Sequence, residues 1–274
     1  MRDASRRFRG LTIGFIGAGT MGQALMRGLL AQGVSPRAIR ATDANPQTRA
    51  RVRRQLRIQA TGRNADVARR ADVVILAVKP PQFPEVVGEL TGVVRPRQLV
   101  ISIAAGITLR WLEQRLPRVP VVRAMPNLPA TVGCGFAAIA GGRFASARHR
   151  AVANTIFRAV GEAVELPERH FDAITAVSGS GPAYVFFLIR MWETAAHSLG
   201  LSDAVARRAV AKTLEGSERL WQRSGEPAEA LIRKVASKRG TTEAALKILA
   251  RRRVARHFVE ALGAAARRSK ELSR

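Results

Sequence analysis

The sequence predicts an α/β protein in which a Rossmann-type doubly wound parallel sheet is followed by an all-α domain. Three observations predict this fold class. A short apolar run at residues 12–16 leads directly into a glycine-rich loop and an amphipathic helical pattern. Short apolar runs then alternate with helical segments, as in parallel sheets that are covered by helices on both faces. From about residue 168 onward the strand signals stop, and only helical patterns follow.

The first part of the chain contains six segments that are predicted to be strands. They are TIGFI (12–16), AIRATD (38–43), IQAT (58–61), DVVILAV (72–78), LVISIAA (99–105) and VVRAM (121–125). The unbroken apolar runs in the fourth and fifth segments favour strands that are buried on both faces. We expect a basic tail at residues 1–10, a nucleotide-binding domain at 11–167 and a helical domain at 168–274.

The glycine-rich loop has the G-x-G-x-x-G pattern between a strand and a helix. Gly17 permits a tight turn, Gly19 lets the backbone approach a pyrophosphate, and Gly22 lets the helix pack closely on the strand. The N–H groups and the positive dipole end of the helix then face the phosphates. We therefore predict that a dinucleotide contacts the loop residues Gly17, Gly19, Thr20, Met21 and Gly22.

Asp43, 21 residues after Gly22, ends the second predicted strand. A carboxylate at this place can bind the adenosine ribose hydroxyls, which favours NADH, and it would repel a 2′-phosphate. Arg40, Arg49 and Arg51 are close in sequence and could favour NADPH instead. Asp43 could also be a turn or cap residue before Pro46. The sequence leaves the choice of cofactor open.

Two further polar residues follow predicted strands. Lys79 comes just after a buried strand, where open α/β sheets place ligand contacts, and it could equally be a solvated loop lysine. Asn127 lies at the centre of a loop rich in proline and glycine, where its side chain could bind a ligand amide or stabilise an Asx turn.

Near the end of the chain, the turn SKRGTT (237–242) runs into the helical pattern EAALKIL. Ser237, Gly240, Thr241 and Thr242 can offer hydroxyl and backbone N–H groups to a small anion at the start of this helix. A second segment of small residues, SGSGP (178–182), lacks a base at readable spacing, so it favours close backbone approach over nucleophilic catalysis.

The composition excludes several functional classes. The net charge of +26 is mostly arginine spread over many segments, and aromatics are only 5%, so we expect no specific nucleic-acid binding. The four histidines show no ligand spacing, so we expect no metal site. No apolar run reaches the roughly 18 residues that would suggest a membrane helix. The opening segment does not read as a signal peptide, and the single cysteine fits a reducing cytoplasm.

The motifs, taken in order, resemble those of the pyrroline-5-carboxylate reductase family. They are the glycine loop, AVKP, SIAAGIT, RAMPNLPA, AVSGSGPAYVF and the terminal GTT, and the match runs from about residue 12 to residue 272. The resemblance implies a Rossmann domain, a helical domain that forms an intertwined dimer, and reduction of 1-pyrroline-5-carboxylate by NADPH or NADH in the last step of proline biosynthesis. It also implies a homodimer, or a larger assembly of dimers, in the cytoplasm.

The resemblance carries roles to particular positions of this chain. The substrate carboxylate would lie on the turn, and Thr242 would donate a proton to the imine nitrogen. Asn64 would contact the adenosine ribose or its phosphate. The remaining positions would border the cofactor (Ala77, Val78, Lys79), lie by the nicotinamide (Met125, Asn127), or line the floor of the active site (Ser178, Gly179, Ser180, Gly181).

The chain also departs from the family pattern. Lys238 and Arg239 replace a Pro-Gly pair, and Arg239 therefore stands where the family has a glycine that can adopt positive φ. Leu128 replaces a threonine. Arg190 and Thr194 replace acidic residues, and Lys212 replaces a frequent glutamine. These changes keep two alternatives open: a catalytically weak NAD(P)-binding paralogue, and a reductase of a related small imino or β-hydroxy acid.

Overall fold

The computed structural model describes residues 10–273, so the predicted basic tail lies outside the described residues except for Gly10. The chain divides into two compact units. The first unit runs to Ser180 and also includes the segment from Ala265 on, and the second unit is Gly181–Ala264. The predicted boundary between residues 167 and 168 stays a prediction about domain organisation.

The first unit contains one eight-stranded sheet with the order β3-β2-β1-β4-β5-β6-β7-β8. All six predicted strands are present. The strand bounds are β1 Ile13–Ile16, β2 Ile39–Thr42, β3 Gln59–Thr61, β4 Val73–Leu76, β5 Leu99–Ser102, β6 Val121–Pro126, β7 Gly135–Gly141 and β8 Gly161–Glu165. The strand order reverses between β1 and β4, and open α/β sheets bind their ligands at such a switch point.

One pair of neighbouring strands departs from the parallel arrangement of the rest of the sheet. β7 and β8 were not predicted, and β7 pairs antiparallel with β6. The eight residues between Pro126 and Gly135 are too few for the crossover of a dozen or more residues that parallel strands require. β7 escaped prediction because GFAAIAG is rich in glycine and alanine, which are poor strand formers.

Helices cover both faces of this sheet, and each face has its own apolar cluster. One cluster is built around Phe15, Leu25 and Phe157, and the other around Phe83, Leu112 and Phe171. The helices of the first unit are α1 Thr20–Ala31, α2 Pro46–Leu56, α3 Asn64–Ala68, α4 Phe83–Leu90, α5 Leu109–Arg115, α6 Ala147–Arg158 and α7 Phe171–Ile174. The doubly wound prediction is confirmed.

The small-residue segment at the end of the first unit is helical. Thr175–Gly179 forms one π-helical turn, closed by the bond from the Ser180 N–H to the Thr175 carbonyl (2.8 Å). Single π-helical turns inside helices are frequent at functional sites.

The second unit contains helices only. They are α8 Gly181–Ser198, α9 Asp203–Ser224, α10 Ala228–Val235, α11 Thr241–Arg251 and α12 Val254–Leu272, the last of which continues into the segment assigned to the first unit. Within residues 181–264, only Ala196, Ala206 and Val210 are buried. Large side chains such as Phe186 (57% exposed) and Phe187 (52% exposed) face outward.

The exposed apolar surface of α8 admits two explanations. The helical stretch Glu168–Ser198 is long enough and apolar enough to cross a membrane. A single helix of this kind is only weak evidence for a membrane span. An apolar surface of this kind also marks a protein–protein interface. A helical unit with so few buried residues has too small a core of its own to be stable, so this surface requires a covering partner.

Candidate functional site

The glycine loop between β1 and α1 has the geometry that its sequence predicts. Gly17 has φ of +97°, a conformation that L side chains rarely adopt, and a Cβ there would lie 2.7 Å from the Ala77 carbonyl oxygen. A Cβ at Gly22 would lie 2.7 Å from the Gly17 carbonyl oxygen. Both glycines are therefore needed for the loop to close against β4 and α1.

Gly19 differs from the other two glycines of the loop. Its φ is −68°, which any residue can adopt, and a Cβ there would meet no atom within 4 Å. Gly19 is therefore not needed for the fold of the loop. Its missing side chain leaves open space in front of the N-terminus of α1, where the first N–H groups of the helix are available to a ligand.

A cleft of about 330 Å³ opens in front of the loop. It is lined by residues from separate parts of the chain that were predicted to bind the cofactor: Gly17, Gly19, Asp43, Asn64, Ala77, Val78 and Lys79. Thr20 and Met21, also predicted, are the first residues of α1 and are not part of the lining, and Met21 packs against the apolar core. The carboxyl-terminal ends of β1, β2, β3 and β4 thus meet at one cleft.

Several lining residues were missed from sequence, among them Thr42, Gly62 and Glu89. The Thr42 hydroxyl donates to Asn64 Oδ1 (2.6 Å), and Asn64 Nδ2 donates to Glu89 Oε2 (3.0 Å). These contacts fix the orientation of the Asn64 amide. Thr42 and Gly62 each follow or end a strand at the carboxyl edge of the sheet, which is the signal that could have identified them.

Asp43 binds the backbone on both sides of the cleft. Its Oδ2 accepts from the Ala18 N–H (3.0 Å) and its Oδ1 from the Asn45 N–H (2.9 Å). The second bond is the turn contact that the sequence left open as an alternative. Asn45 caps α2 by accepting from the Gln47 N–H. Asp43 thus ties the glycine loop to the β2–α2 turn.

These features fit a dinucleotide. The open space at Gly19 is the one position in the loop where a side chain would enter the cleft without meeting protein. The N-terminus of α1 carries no acidic residue in its first turn, so nothing on the helix itself opposes a pyrophosphate. The volume of the cleft lies in the range of small-molecule sites.

A second cluster of predicted residues lies elsewhere in the first unit. Asn127 Oδ1 accepts from the Phe136 N–H (2.9 Å), and its Nδ2 donates to Ser178 Oγ (3.1 Å). The amide therefore bridges two segments rather than forming a local Asx turn. A Cβ at Gly179 would lie 2.6 Å from Met125 Cε, so glycine lets the π-helical turn approach β6 closely.

The turn SKRGTT lies in the second unit, and it begins α11 with Gly240 as the N-cap. The Gly240 N–H donates to the Ser237 carbonyl (3.0 Å), and a Cβ at Gly240 would collide with Ser237 Oγ. Thr241 and Thr242 form the first turn of the helix. Their backbone N–H groups are among those that a helix leaves without an internal acceptor.

Arg239 adopts the left-handed conformation in this turn, with φ of +59°. Its backbone N–H donates to the Glu243 carboxylate, which also pairs with Lys247 Nζ at 2.8 Å. Hydrogen bonding by Lys247, followed by that of the Arg239 N–H, holds the pKa of Glu243 below its ordinary value. The ionised carboxylate thus supports the turn above the ordinary pKa of glutamate, and this support is lost as the pH falls through the lowered pKa.

Among residues 10–273, no group of three or more His, Cys, Asp or Glu side chains could hold a metal ion. The cleft is lined by three carboxylates, those of Asp43, Glu85 and Glu89, and also by backbone groups, a hydroxyl, amides and the Lys79 ammonium. The backbone groups, hydroxyl, amides and ammonium can bind phosphates and a carboxylate and can orient a small ring.

Two family models match the chain. One, described as pyrroline-5-carboxylate reductase dimerisation, matches residues 168–272, and the other, described as NADP oxidoreductase coenzyme F420-dependent, matches residues 12–106. Together they span the glycine loop, most of the cleft-forming strand ends and the helical region.

Known pyrroline-5-carboxylate reductases are similar to the chain over nearly their whole length. The protein of Pseudomonas aeruginosa is 43% identical over 265 residues, with 95% of this chain and 96% of the relative covered. The protein of Escherichia coli is 36% identical over 264 residues, with 96% and 98% covered.

Solved structures show the same likeness. The pyrroline-5-carboxylate reductase of Coxiella burnetii superposes with a TM-score of 0.89 at 35% identity, over 96% of this chain and 99% of that one. The enzyme of Plasmodium falciparum, solved with NADP bound, gives a TM-score of 0.89 at 26% identity, over 97% and 99%.

Proposed function

The chain belongs to the pyrroline-5-carboxylate reductase family, and from this premise we propose how its residues carry out the reduction of 1-pyrroline-5-carboxylate to L-proline with NADPH or NADH. The observation that carries the proposal is the cleft in front of the glycine loop, in a chain whose whole length matches this family. The reaction closes proline biosynthesis. It needs a hydride and a proton and no covalent intermediate, which agrees with the absence of a nucleophile motif from the sequence.

The first unit is proposed to hold the cofactor, which supplies the hydride when bound. Gly17 and Gly22 let the loop close, Gly19 leaves space for the pyrophosphate, and the first N–H groups of α1, at Thr20 and Met21, would bind its oxygens. Asp43 and Asn64 are assigned to the adenosine ribose. Ala77, Val78 and Lys79 are assigned to the border of the bound dinucleotide. The cofactor chemistry itself belongs to the nicotinamide, and the protein contributes position.

Asn127 and Met125 are proposed to lie by the nicotinamide ring. The support is the fixed orientation of Asn127, whose amide is held at both ends by Phe136 and Ser178. Ser178, Gly179 and Ser180 are assigned to the floor of the active site. The π-helical turn supports this assignment, because such turns recur at functional sites.

The turn in the second unit is proposed to bind the substrate carboxylate. Ser237 and Thr241 offer hydroxyls, and the helix start at Gly240 offers backbone N–H groups and a positive dipole end to a negative charge. Thr242 is assigned the proton donation to the imine nitrogen that accompanies hydride addition to the neighbouring carbon. A proton at the nitrogen makes that carbon a better hydride acceptor.

The match to the dimerisation family model over residues 168–272 supports a homo-oligomer. We assign the exposed apolar surface of α8 to contact between subunits rather than to a membrane, in a homodimer or a larger assembly of dimers. We further propose a cytoplasmic location, which the single cysteine fits. We propose no specific nucleic-acid partner, because the arginines are dispersed and aromatic residues are few.

A second candidate function follows from Arg239. A left-handed arginine in the substrate turn would suit a catalytically weak NAD(P)-binding paralogue, or a reductase of a related small imino or β-hydroxy acid. We favour the full reductase because Ser237, Gly240, Thr241 and Thr242 are all in place in the turn.

The experiment is a turnover assay with purified protein, both cofactors and three substrates. We expect oxidation of NADPH or NADH with 1-pyrroline-5-carboxylate, and much slower reaction with 1-pyrroline-2-carboxylate or, in reverse, with a small β-hydroxy acid. Absence of turnover with either cofactor, despite measurable cofactor binding, would replace the reductase with the weak paralogue. Faster turnover of another substrate would replace 1-pyrroline-5-carboxylate.

A further inference from the structure

The proposed function leaves open which nicotinamide cofactor the cleft selects. The two differ by one phosphate on the 2′ carbon of the adenosine ribose, so the choice depends on groups at the ribose end of the cleft. We propose that this chain prefers NADPH, and that Arg49 is the specificity-determining residue that binds the 2′-phosphate. This inference rests on the proposed function and deepens it.

Asp43 is the residue that would argue for NADH, and its contacts weaken that argument. Each of its carboxylate oxygens already accepts a backbone N–H, one from the glycine loop and one from the β2–α2 turn. These bonds give Asp43 a role in positioning the loop that does not depend on the ribose. They also partly offset its negative charge toward a nearby phosphate.

Arg49 is held at the same end of the cleft. Its Nη1 donates to the carbonyls of Asp43 (2.7 Å) and Ala44 (2.8 Å). On its other side, a Cβ at Gly62 would lie 3.4 Å from Nη1 and 3.9 Å from Nη2. Asp43, Ala44 and Gly62 all line the cleft, and Arg49, which is not itself a lining residue, is fixed directly beside these three.

The remaining donors of Arg49 are available to a ligand. Within residues 10–273, neither Nε nor Nη2 donates a hydrogen bond to protein, and no carboxylate lies within ion-pair distance. A guanidinium presents its donors in a rigid fork that matches phosphate geometry. Because Nη1 is already anchored, little conformational freedom is lost when the other donors bind a phosphate.

Glycine at position 62 keeps the guanidinium accessible. The φ of Gly62 is outside the left-handed region, so the backbone itself does not require glycine there. A side chain would instead stand in contact with the Arg49 guanidinium and cover it. We therefore attribute the glycine at position 62 to the access of a ligand to Arg49, and not to backbone strain.

Glu85 and Glu89 also line the cleft and oppose a phosphate electrostatically. Glu89 accepts from Asn64 Nδ2, which partly offsets its charge. Arg49 is half-buried and fixed by two bonds, so its charge-assisted bonds to phosphate are stronger than those of a solvated cation. The fixed cation at the ribose end therefore decides the preference.

The test measures how tightly full-length protein binds 2′-phospho-ADP-ribose and ADP-ribose by calorimetry. The wild type should bind the phosphorylated compound about tenfold more tightly or better, which is the range for hydrogen bonds to a charged group. Arg49→Gln should bring the two affinities close together. Arg51→Gln removes the same charge from an exposed position on the same helix and should leave the ratio unchanged.

The ratio separates recognition from folding, because a distorted turn would weaken both compounds together. If Arg49→Gln does not fold, Arg49→Lys keeps the charge without the fork, and its ratio should fall severalfold. Equal wild-type affinities, an unchanged ratio in the Arg49 variant, or the same fall in Arg51→Gln would overturn the inference. Binding of neither compound would overturn the proposed cofactor cleft itself, and the inference with it.

Discussion

Arg239 is a residue other than glycine in the left-handed conformation within the proposed substrate turn. Its φ of +59° lies in the region that favours glycine, the residue that the resemblance leads us to expect there. An L residue in the left-handed region costs about 1–2 kcal/mol. The Glu243 carboxylate, which accepts the Arg239 N–H, compensates part of this cost.

Arg239→Gly is therefore expected to stabilise the protein. The relief of backbone strain exceeds the greater freedom of glycine in the unfolded chain, so the free energy of unfolding should rise by up to about 1 kcal/mol. Urea denaturation measures this change. Ala245→Gly, at an exposed position inside α11, is the control and should destabilise by about 1 kcal/mol. Destabilisation of both variants alike would contradict the strain at Arg239.

Thr242 is the residue to which the proposal assigns proton donation. Thr242→Ala should lower kcat by about a hundredfold, the lower end of the range for acid catalysis, while cofactor binding stays the same. Thr242→Ser keeps the hydroxyl and should restore most of the rate. Steady-state kinetics across the three proteins decide the matter, and unchanged kinetics of Thr242→Ala would remove the residue from the mechanism.

At the scale of elements, the glycine loop shows two kinds of requirement within six residues. Gly17 is constrained by its φ and by the Ala77 carbonyl, whereas Gly19 has an ordinary φ and faces open space. The first glycine thus serves folding and the second serves ligand access. This division agrees with the roles that the sequence motif assigns, which are a tight turn at Gly17 and backbone approach to a pyrophosphate at Gly19.

Gly19→Val should abolish cofactor binding and leave stability nearly unchanged, because its side chain enters only the cleft. Gly17→Val should instead destabilise the fold by several kcal/mol through strain and overlap with Ala77. Thermal denaturation and cofactor titration of both variants test the contrast. Retained cofactor binding in Gly19→Val would show that the pyrophosphate lies elsewhere.

Much of the fold could be predicted from the sequence, because the central strands are apolar and are separated by segments that contain glycine and proline. All six apolar segments are strands, whereas β7 and β8 were missed because GFAAIAG and GEAVE carry weak strand signals. Asp43 and Lys79 were found because they follow strands, and Gly62 was missed although it also follows one. Arg49 was one of three nearby arginines in the sequence, and only its contacts with Asp43, Ala44 and Gly62 distinguish it from the other two. The π-helical turn has no local sequence signature.

At the scale of the whole molecule, the helical unit depends on a partner. Three buried residues in 84 cannot supply a core, while a series of large apolar side chains on α8 faces outward. The dimerisation family model matches residues 168–272, which include this surface. Folding of this unit and assembly of the oligomer should therefore be coupled.

Phe187→Asp is expected to disrupt the oligomer, because it places a charge on the exposed apolar surface of α8. Sedimentation velocity should show monomers or aggregates where the wild type sediments as a dimer or larger assembly. Arg158→Asp, an exposed position on α6 of the first unit, is the control and should keep the wild-type assembly. Wild-type assembly of Phe187→Asp would place the interface on another surface.

At the same scale, the central proposal is that this chain makes L-proline from 1-pyrroline-5-carboxylate by a single hydride transfer. The direct measurement is to quantify L-proline by chromatography against the NADPH or NADH consumed by purified protein. We predict one L-proline for each cofactor oxidised, and none when the cofactor is omitted. Cofactor oxidation without L-proline, or no reaction with either cofactor, would contradict the account.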